Sequence, residues 1–328
     1  MKKHIYISIF LIILGTTFIL YGNLSPNEAS QKILFTVPKG KSLSYVAEKL
    51  KEKNLIKSEL YFKILAKITG KAKNIKAGVY EIDTQMSSWE ILDLLYSGRV
   101  KMIQFTIIEG WTNEQIADYF KEQQFISNKK EFLDLTSDKE ILEKYRIAGP
   151  TTEGFLFPET YTIDPQLKIQ QIHKIMIKMF YEKLAKIYPN YQNIDPKEIY
   201  EKVIIASIIE REAVHRDELP LMASVYYNRL KKKMKLQADP TIQYILKDPK
   251  KKLTLKDLEI DSPYNTYRYK GLPPTPISNP GYQAIYAAFY PANTDYLFFV
   301  RIEDGKHYFS KNYSDHVKAK KEYWDKVQ

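Results

Sequence analysis

The chain has 328 residues, enough for two domains, and carries a formal charge of +11 at pH 7. Such a surplus suits nucleic acid, anionic headgroups or an acidic polymer, but no continuous Lys/Arg helix and no zinc-ligand spacing supports nucleic acid as a partner. Cysteine is absent, which excludes a disulfide framework, a thiol nucleophile, a cysteine metal site and a lipoprotein anchor.

Met1-Lys2-Lys3-His4 precedes an uncharged stretch from Ile5 to Asn27. At about 1.5 Å per residue its apolar heart, Ile5 to Tyr21, nearly spans a hydrocarbon core of about 30 Å. Lysines before it and few after predict a single-pass anchor in the cytoplasmic membrane over residues 1–27, N-terminus inside and the rest outside. Tyr21-Gly22-Asn23-Leu24-Ser25 makes a poor signal-peptidase site, so the anchor is expected to stay uncleaved.

A repeat follows. Phe35-Thr36-Val37-Pro38-Lys39-Gly40 leads into Ser42 to Leu50 and ends at Leu55-Ile56; Phe105-Thr106-Ile107-Ile108-Glu109-Gly110 leads into Thr112 to Phe120 and ends at Phe125-Ile126. Each copy predicts a strand, a Gly turn and a helix capped by Ser42 or Thr112, with Val46, Ala47 and Leu50, or Ile116, Ala117 and Phe120, facing inward. Between them, helices are predicted over 58–69 and 88–97 and a strand over 76–82. Strand, helix, helix, strand is the outline of a small sugar-binding LysM-like module (28–104); a plain spacer fits the same outline. Residues 105–149 form the second unit and a helical connector, punctuated by Gly149-Pro150.

The stretch 150–328 is expected to be mainly helical, with helices over 169–188, 219–231 and from Pro240, one opened by Asp195-Pro196, a hairpin turning at Asp304-Gly305 and a basic helix over 315–328. Glu210 closes Val203-Ile204-Ile205-Ala206-Ser207-Ile208-Ile209, a run without charge, and its neighbours three and four residues away are Ala206, Ser207, Ala213 and Val214. A carboxyl buried there without a cation would have a raised pKa and could serve as a general acid; a partly exposed helix glutamate is the alternative. Glu212 is expected to face His215 and Arg216 in an exposed ion pair. The Pro-, Asn- and Tyr-rich segments around 236–241, 262–267 and 271–281 read as groove walls rather than core.

Glu153-Gly154-Phe155-Leu156-Phe157-Pro158-Glu159-Thr160-Tyr161, Ala206 to Glu212, Leu236-Gln237-Ala238-Asp239-Pro240-Thr241, and Tyr264-Asn265-Thr266-Tyr267 with Gly271-Leu272-Pro273-Pro274 together resemble the motif set of the YceG-like endolytic murein transglycosylases. Leu156 departs from the aromatic residue common there. The resemblance implies an α+β protein with an N-terminal transmembrane helix, the LysM-like α/β module and a lysozyme-like catalytic domain carrying the hairpin. It also implies a lyase that cuts within nascent peptidoglycan glycan strands, working beside a peptidoglycan synthase and limiting strand elongation.

On that basis Glu210 is assigned as acid and then base. Gln237, Tyr264 and Asn265 are expected to hold N-acetyl and hydroxyl groups, Tyr267 to line the cleft, and Glu153 to contact substrate. Asx turns and loop caps account equally for Asn265 and Gln237, and a helix cap for Asp239. A hydrolase would instead need Glu153, Glu159 or Asp239 as a second carboxylate. A non-enzymatic wall tether would need no acid at all. His4, His173, His215, His307 and His316 lack metal-ligand spacing, so neither metal nor cofactor is expected.

Overall fold

The structure, a computed structural model, describes residues 2–246, 250 and 253–327. Met1, at the head of the cationic flank, and Gln328, at the end of the basic helix, lie outside the described residues. Among the described residues the fold is mostly helical α+β, with strands in two-stranded sheets and one membrane-length helix. It divides into two compact units, Met1–Phe105 with Tyr161–Leu167, and Thr106–Thr160 with Lys168–Gln328.

The first unit begins with α1 (Lys2–Asn23), whose window His4–Asn23 has 20 residues and is 6% buried. At about 1.5 Å per residue this is long enough to cross a bilayer. Strands β1 (Lys32–Val37) and β2 (Gly78–Asp83) pair antiparallel, with Phe35 opposite Tyr80. Three helices cover them, α2 (Leu43–Glu52), α3 (Glu59–Ile68) and α4 (Ser88–Ser97). Each starts where a hydroxyl can satisfy an orphan N–H: Ser42 accepts from Tyr45, Ser58 from Tyr61, and Ser87 from Glu90, whose carboxylate returns a bond to the Ser87 N–H. Phe35, Val46, Leu50, Phe62, Tyr80 and Leu92 fill the core. Strand β3 (Ile103–Thr106) pairs with β4 (Thr160–Ile163), and Phe105 stacks on Tyr161 at 5.2 Å.

In the second unit, α5 (Asn113–Glu122) repeats the plan of α2, capped by Thr112 with Ile116, Ala117 and Phe120 buried. Helices α6 (Lys129–Thr136), α7 (Lys139–Lys144) and α8 (Ile169–Ile187) lead to α9 (Pro196–Glu210). Asp195 caps α9, and every residue from Val203 to Glu210 is buried. A helix apolar all round belongs at a centre. Helices α10 (Leu219–Lys231) and α12 (Tyr282–Phe289) pack on it, and α11 (Asp239–Leu246) follows α10 in the chain. The hairpin β5 (Phe298–Arg301) and β6 (His307–Ser310) turns through Asp304 and Gly305, both at positive φ, and α13 (Tyr313–Val327) follows.

One expectation fails here. The segment 275–281, read as groove wall, is buried throughout. Its amide and hydroxyl groups serve buried backbone instead of a ligand. Asn279 accepts from the N–H groups of Gly154 and Leu156 at 3.0 and 2.9 Å, and the Ile277 N–H donates to the Ser207 hydroxyl at 3.0 Å. Buried peptide groups need such partners, and side chains can supply them where no sheet or helix does.

Candidate active site

Helix α9 ends at Glu210, and the two carboxyls at that end have opposite surroundings. The Glu210 side chain is 2% exposed; Arg216 donates to its Oε1 at 2.6 Å and the Gly281 N–H to its Oε2 at 2.9 Å. Arg216 also pairs with Glu109 at 2.5 Å. Burial raises the Glu210 pKa, while Arg216 and the Gly281 N–H oppose the rise. The expectation of a carboxyl without a cation is therefore corrected: the chain turns after α9 and brings back a cation from six residues on, beyond the reach of helix spacing.

Glu212 is corrected in the opposite sense. Arg216 is taken by Glu210 and Glu109, and Glu212 lines a cleft of about 590 Å³. Among the described residues its carboxyl has no hydrogen bond or ion pair; only its backbone N–H is bonded, back to Ile209 at 3.2 Å. Burial pushes its pKa up to about 8, and the nearby Asp239 adds to the rise. Such a carboxyl holds its proton at neutral pH and has nothing but the cleft to give it to.

The cleft is built from two of the sequence motifs, joined by Thr266. Its carbonyl accepts from the Gln237 N–H at 3.1 Å, and its hydroxyl accepts from the Ala238 N–H and meets the Thr241 hydroxyl, both at 3.0 Å. Gln237 has φ of 51°, a left-handed conformation uncommon outside glycine. Arg229 fixes its amide, donating to Gln237 Oε1 at 3.1 Å and to the carbonyls of Leu236 and Leu297 at 2.8 and 2.6 Å. Tyr267 lines the same cleft and donates to Asp239. His307, also on the lining, gives its backbone N–H and ring Nδ1 to Glu218, at 2.9 and 2.8 Å.

Gln237, Tyr267 and Asp239 thus share a cleft with Glu212, whereas Asn265, Tyr264 and Glu153 are turned to internal work. Asn265 is fully buried; its amide donates to Leu258 and Ile260, and its oxygen accepts from the Tyr267 N–H, the Asx turn foreseen as its alternative. The Tyr264 hydroxyl meets that of Thr275 at 2.8 Å. Glu153 is buried, accepts from the Asn113 N–H at 3.0 Å and from the Asn279 amide at 3.2 Å, and is pushed up to about 8 by burial. Glu159 is paired with Lys183 at 2.8 Å.

Sequence reasoning missed Glu212, Arg229 and the Glu218–His307 pair. The signal available for Glu212 was its place past the last buried turn of α9, where a side chain can leave the helix face. A larger cavity of about 740 Å³ lies beside Tyr145, Tyr181 and Tyr191, but Glu182, the carboxyl on its wall, is exposed to solvent, so the smaller cleft is the better site for acid chemistry.

A model of the YceG-like family matches residues 35–322, and so takes in both units and the whole cleft. The chain belongs to the YceG-like family. It is 37% identical to the endolytic murein transglycosylase of Bacillus subtilis (strain 168), the match covering 95% of this chain and 91% of that relative. It is 30% identical to the protein of the same name from Streptococcus pneumoniae serotype 2 (strain D39 / NCTC 7466), over 90% of this chain and 59% of that longer one. A crystal structure of a YceG-like protein from Listeria monocytogenes superposes with a TM-score of 0.59 at 35% identity, covering 88% of this YceG-like chain and 99% of that one.

Proposed function

We propose that this YceG-like chain is a membrane-anchored endolytic murein transglycosylase, a lyase that cleaves the MurNAc–GlcNAc bond within glycan strands. The relatives it matches along nine-tenths of its length bear that name. The observation that carries the chemistry is Glu212, a carboxyl raised to about 8 and unpaired among the described residues, on the wall of the cleft.

Glu212 protonates the glycosidic oxygen, and the bond to the anomeric carbon breaks. The positive charge developing there is met by the Asp239 carboxylate, held by Tyr267. Glu212, now ionised, takes the proton of the MurNAc 6-hydroxyl, whose oxygen closes on the anomeric carbon to give a 1,6-anhydro end. No water is consumed, and the intramolecular nucleophile gains from proximity. Gln237 and Tyr267 orient the sugar. Glu210 remains the rival acid, its burial raising its pKa, but its two oxygens are engaged by Arg216 and the Gly281 N–H and it does not line the cleft. The wider reading keeps a LysM-like module (28–104), a connector (105–149) and a lysozyme-like catalytic domain (150–328), with the catalytic domain outside the cell and a peptidoglycan synthase as partner.

A muramidase is the second reading, because Asp239 shares the cleft with Glu212 and could activate water. Mass spectrometry of the ends released from purified glycan strands by the full chain and by Glu212→Gln, Glu210→Gln and Asp239→Asn tests both. We expect anhydro-MurNAc ends from the wild type, at least a ~10²-fold loss in Glu212→Gln, and retained chemistry in Glu210→Gln. Reducing ends would make the enzyme a hydrolase. Loss confined to a folded Glu210→Gln variant would return the role to Glu210.

A further inference from the structure

We propose that α3 is an interfacial helix that docks on anionic phospholipid in the leaflet reached by the C-terminal end of α1. The observation is an apolar line on the outside of the first unit. Leu60, Ile64 and Ile68 recur every four residues along α3 and are 59%, 38% and 80% exposed. That spacing puts them on one stripe of the helix. Lys57, Lys63 and Lys67 follow the same stretch, while Lys71 just beyond it is paired with Asp93 at 2.7 Å; Glu59, which pairs with Lys63 at 3.4 Å, is the one carboxylate on α3.

The depth of this stripe follows from what α3 touches. Tyr61, one step round from Leu60, packs edge-on against Phe18 of α1 at 5.8 Å, and its ring fills the space where a Cβ on Gly22 would stand. The same end of α1 is held by the Ser88 hydroxyl on the Gly22 carbonyl at 2.8 Å and by the Trp89 N–H on the Asn23 side chain at 3.1 Å. Phe18 lies five residues before the end of the span, about 7–8 Å along the helix. A helix in contact with Phe18 is therefore at the boundary between headgroups and acyl chains. There, apolar side chains on its outer face meet acyl chains, and lysines extend their stems to keep charge among phosphates. Two further contacts fit the boundary: Lys57 lies over the Tyr21 ring at 4.8 Å, and Lys71 over Trp89 and Tyr96 at 4.8 and 5.1 Å. Trp and Tyr beside Lys are the residues enriched at membrane interfaces.

The inference rests on reading α1 as a membrane span, and the experiment reports the two separately. Because the sequence has no cysteine, one introduced by Ile64→Cys or Ile68→Cys is a unique site for a nitroxide. The full chain is reconstituted into vesicles of phosphatidylcholine with or without phosphatidylglycerol, and relaxation by oxygen and by a water-soluble nickel chelate is compared. Ile12→Cys reports the span and Asp295→Cys an aqueous position. We expect the labels at 64 and 68 to lose nickel relaxation and gain oxygen relaxation, as at 12. We expect more protection with phosphatidylglycerol, reversed by Lys63→Glu with Lys67→Glu. Nickel relaxation at 64 and 68 as strong as at 295, with 12 still protected, would overturn the proposal; so would a protein occupant whose addition is required for protection. Protection equal in both lipids would overturn the anionic preference. Nickel relaxation at 12 would instead refute the span.

Discussion

At the scale of single residues the cleft depends on one carboxyl keeping its proton. Glu212 has its pKa pushed up to about 8 from an ordinary value of 4.5, by burial first and by Asp239 second. The protonated form is the acid, so kcat/KM for glycan cleavage is expected to fall as pH rises through about 8. Removing the negative neighbour in Asp239→Asn lowers the pKa of Glu212, and the basic limb of the profile should move to lower pH. A limb that stays near 8 in that variant would mean Asp239 does not set it. Stability carries the same sign: a carboxyl with a raised folded pKa stabilises below about 4.5, and that contribution is lost as pH climbs to 8.

The pair Glu210 and Glu212 also marks the limit of local spacing as a guide to the site. Spacing along a helix covers partners three and four residues away and says nothing of Arg216, which returns through the turn after α9. Gln237 and Tyr267 were identifiable because polar and aromatic residues in stiff loops rarely serve a core, and both line the cleft. Asn265 followed the same logic into the interior, where it holds the backbone of Tyr267 at 2.9 Å. Composition told which residues were special but not which way they point.

At the scale of elements, the helices were legible because their ends are written in short-range chemistry. Ser42, Thr112 and Asp195 each cap the helix they were expected to cap, and Ser58 and Ser87 cap the helices predicted to start beside them. Helix α12 was not anticipated: it is short, Ala-rich and apolar, and it gains its stability by packing on α9 rather than from a cap. The segment before it was misjudged because proline and asparagine read as surface, whereas Asn279 ties together Gly154, Leu156, Trp111 and Glu153.

Gly281 joins this segment to the site, since its N–H bonds Glu210 and a Cβ there would collide with the Glu109 carboxylate. Gly281→Ala must therefore push apart the cluster of Glu109, Arg216 and Glu210. We expect a loss of about 1–3 kcal/mol in denaturant unfolding, the usual cost of overpacking, with the Arg216 pairing contributing little because that side chain is 37% exposed. Unchanged stability in Gly281→Ala would show that the turn after α9 relaxes freely.

At the scale of the whole molecule, two compact units imply two separable stabilities. The first unit carries α1 as part of its packing: Tyr61 is 6% exposed because Phe18 and Gly22 cover it, and Ser88 and Trp89 are bonded to the last turn of the span. A chain beginning at Leu24 loses that cover. Exposing the ring and unmaking two hydrogen bonds removes about 2–4 kcal/mol from the first unit. The second unit, which contains Glu212 and the entire lining of the cleft, keeps all of its internal contacts. Calorimetry of the truncated chain should accordingly show one transition lowered and one at its former temperature, while soluble glycan strands are still cleaved. A single transition lowered as a whole would mean that the units unfold together. Loss of cleavage with both transitions intact would mean that the chemistry draws on the first unit.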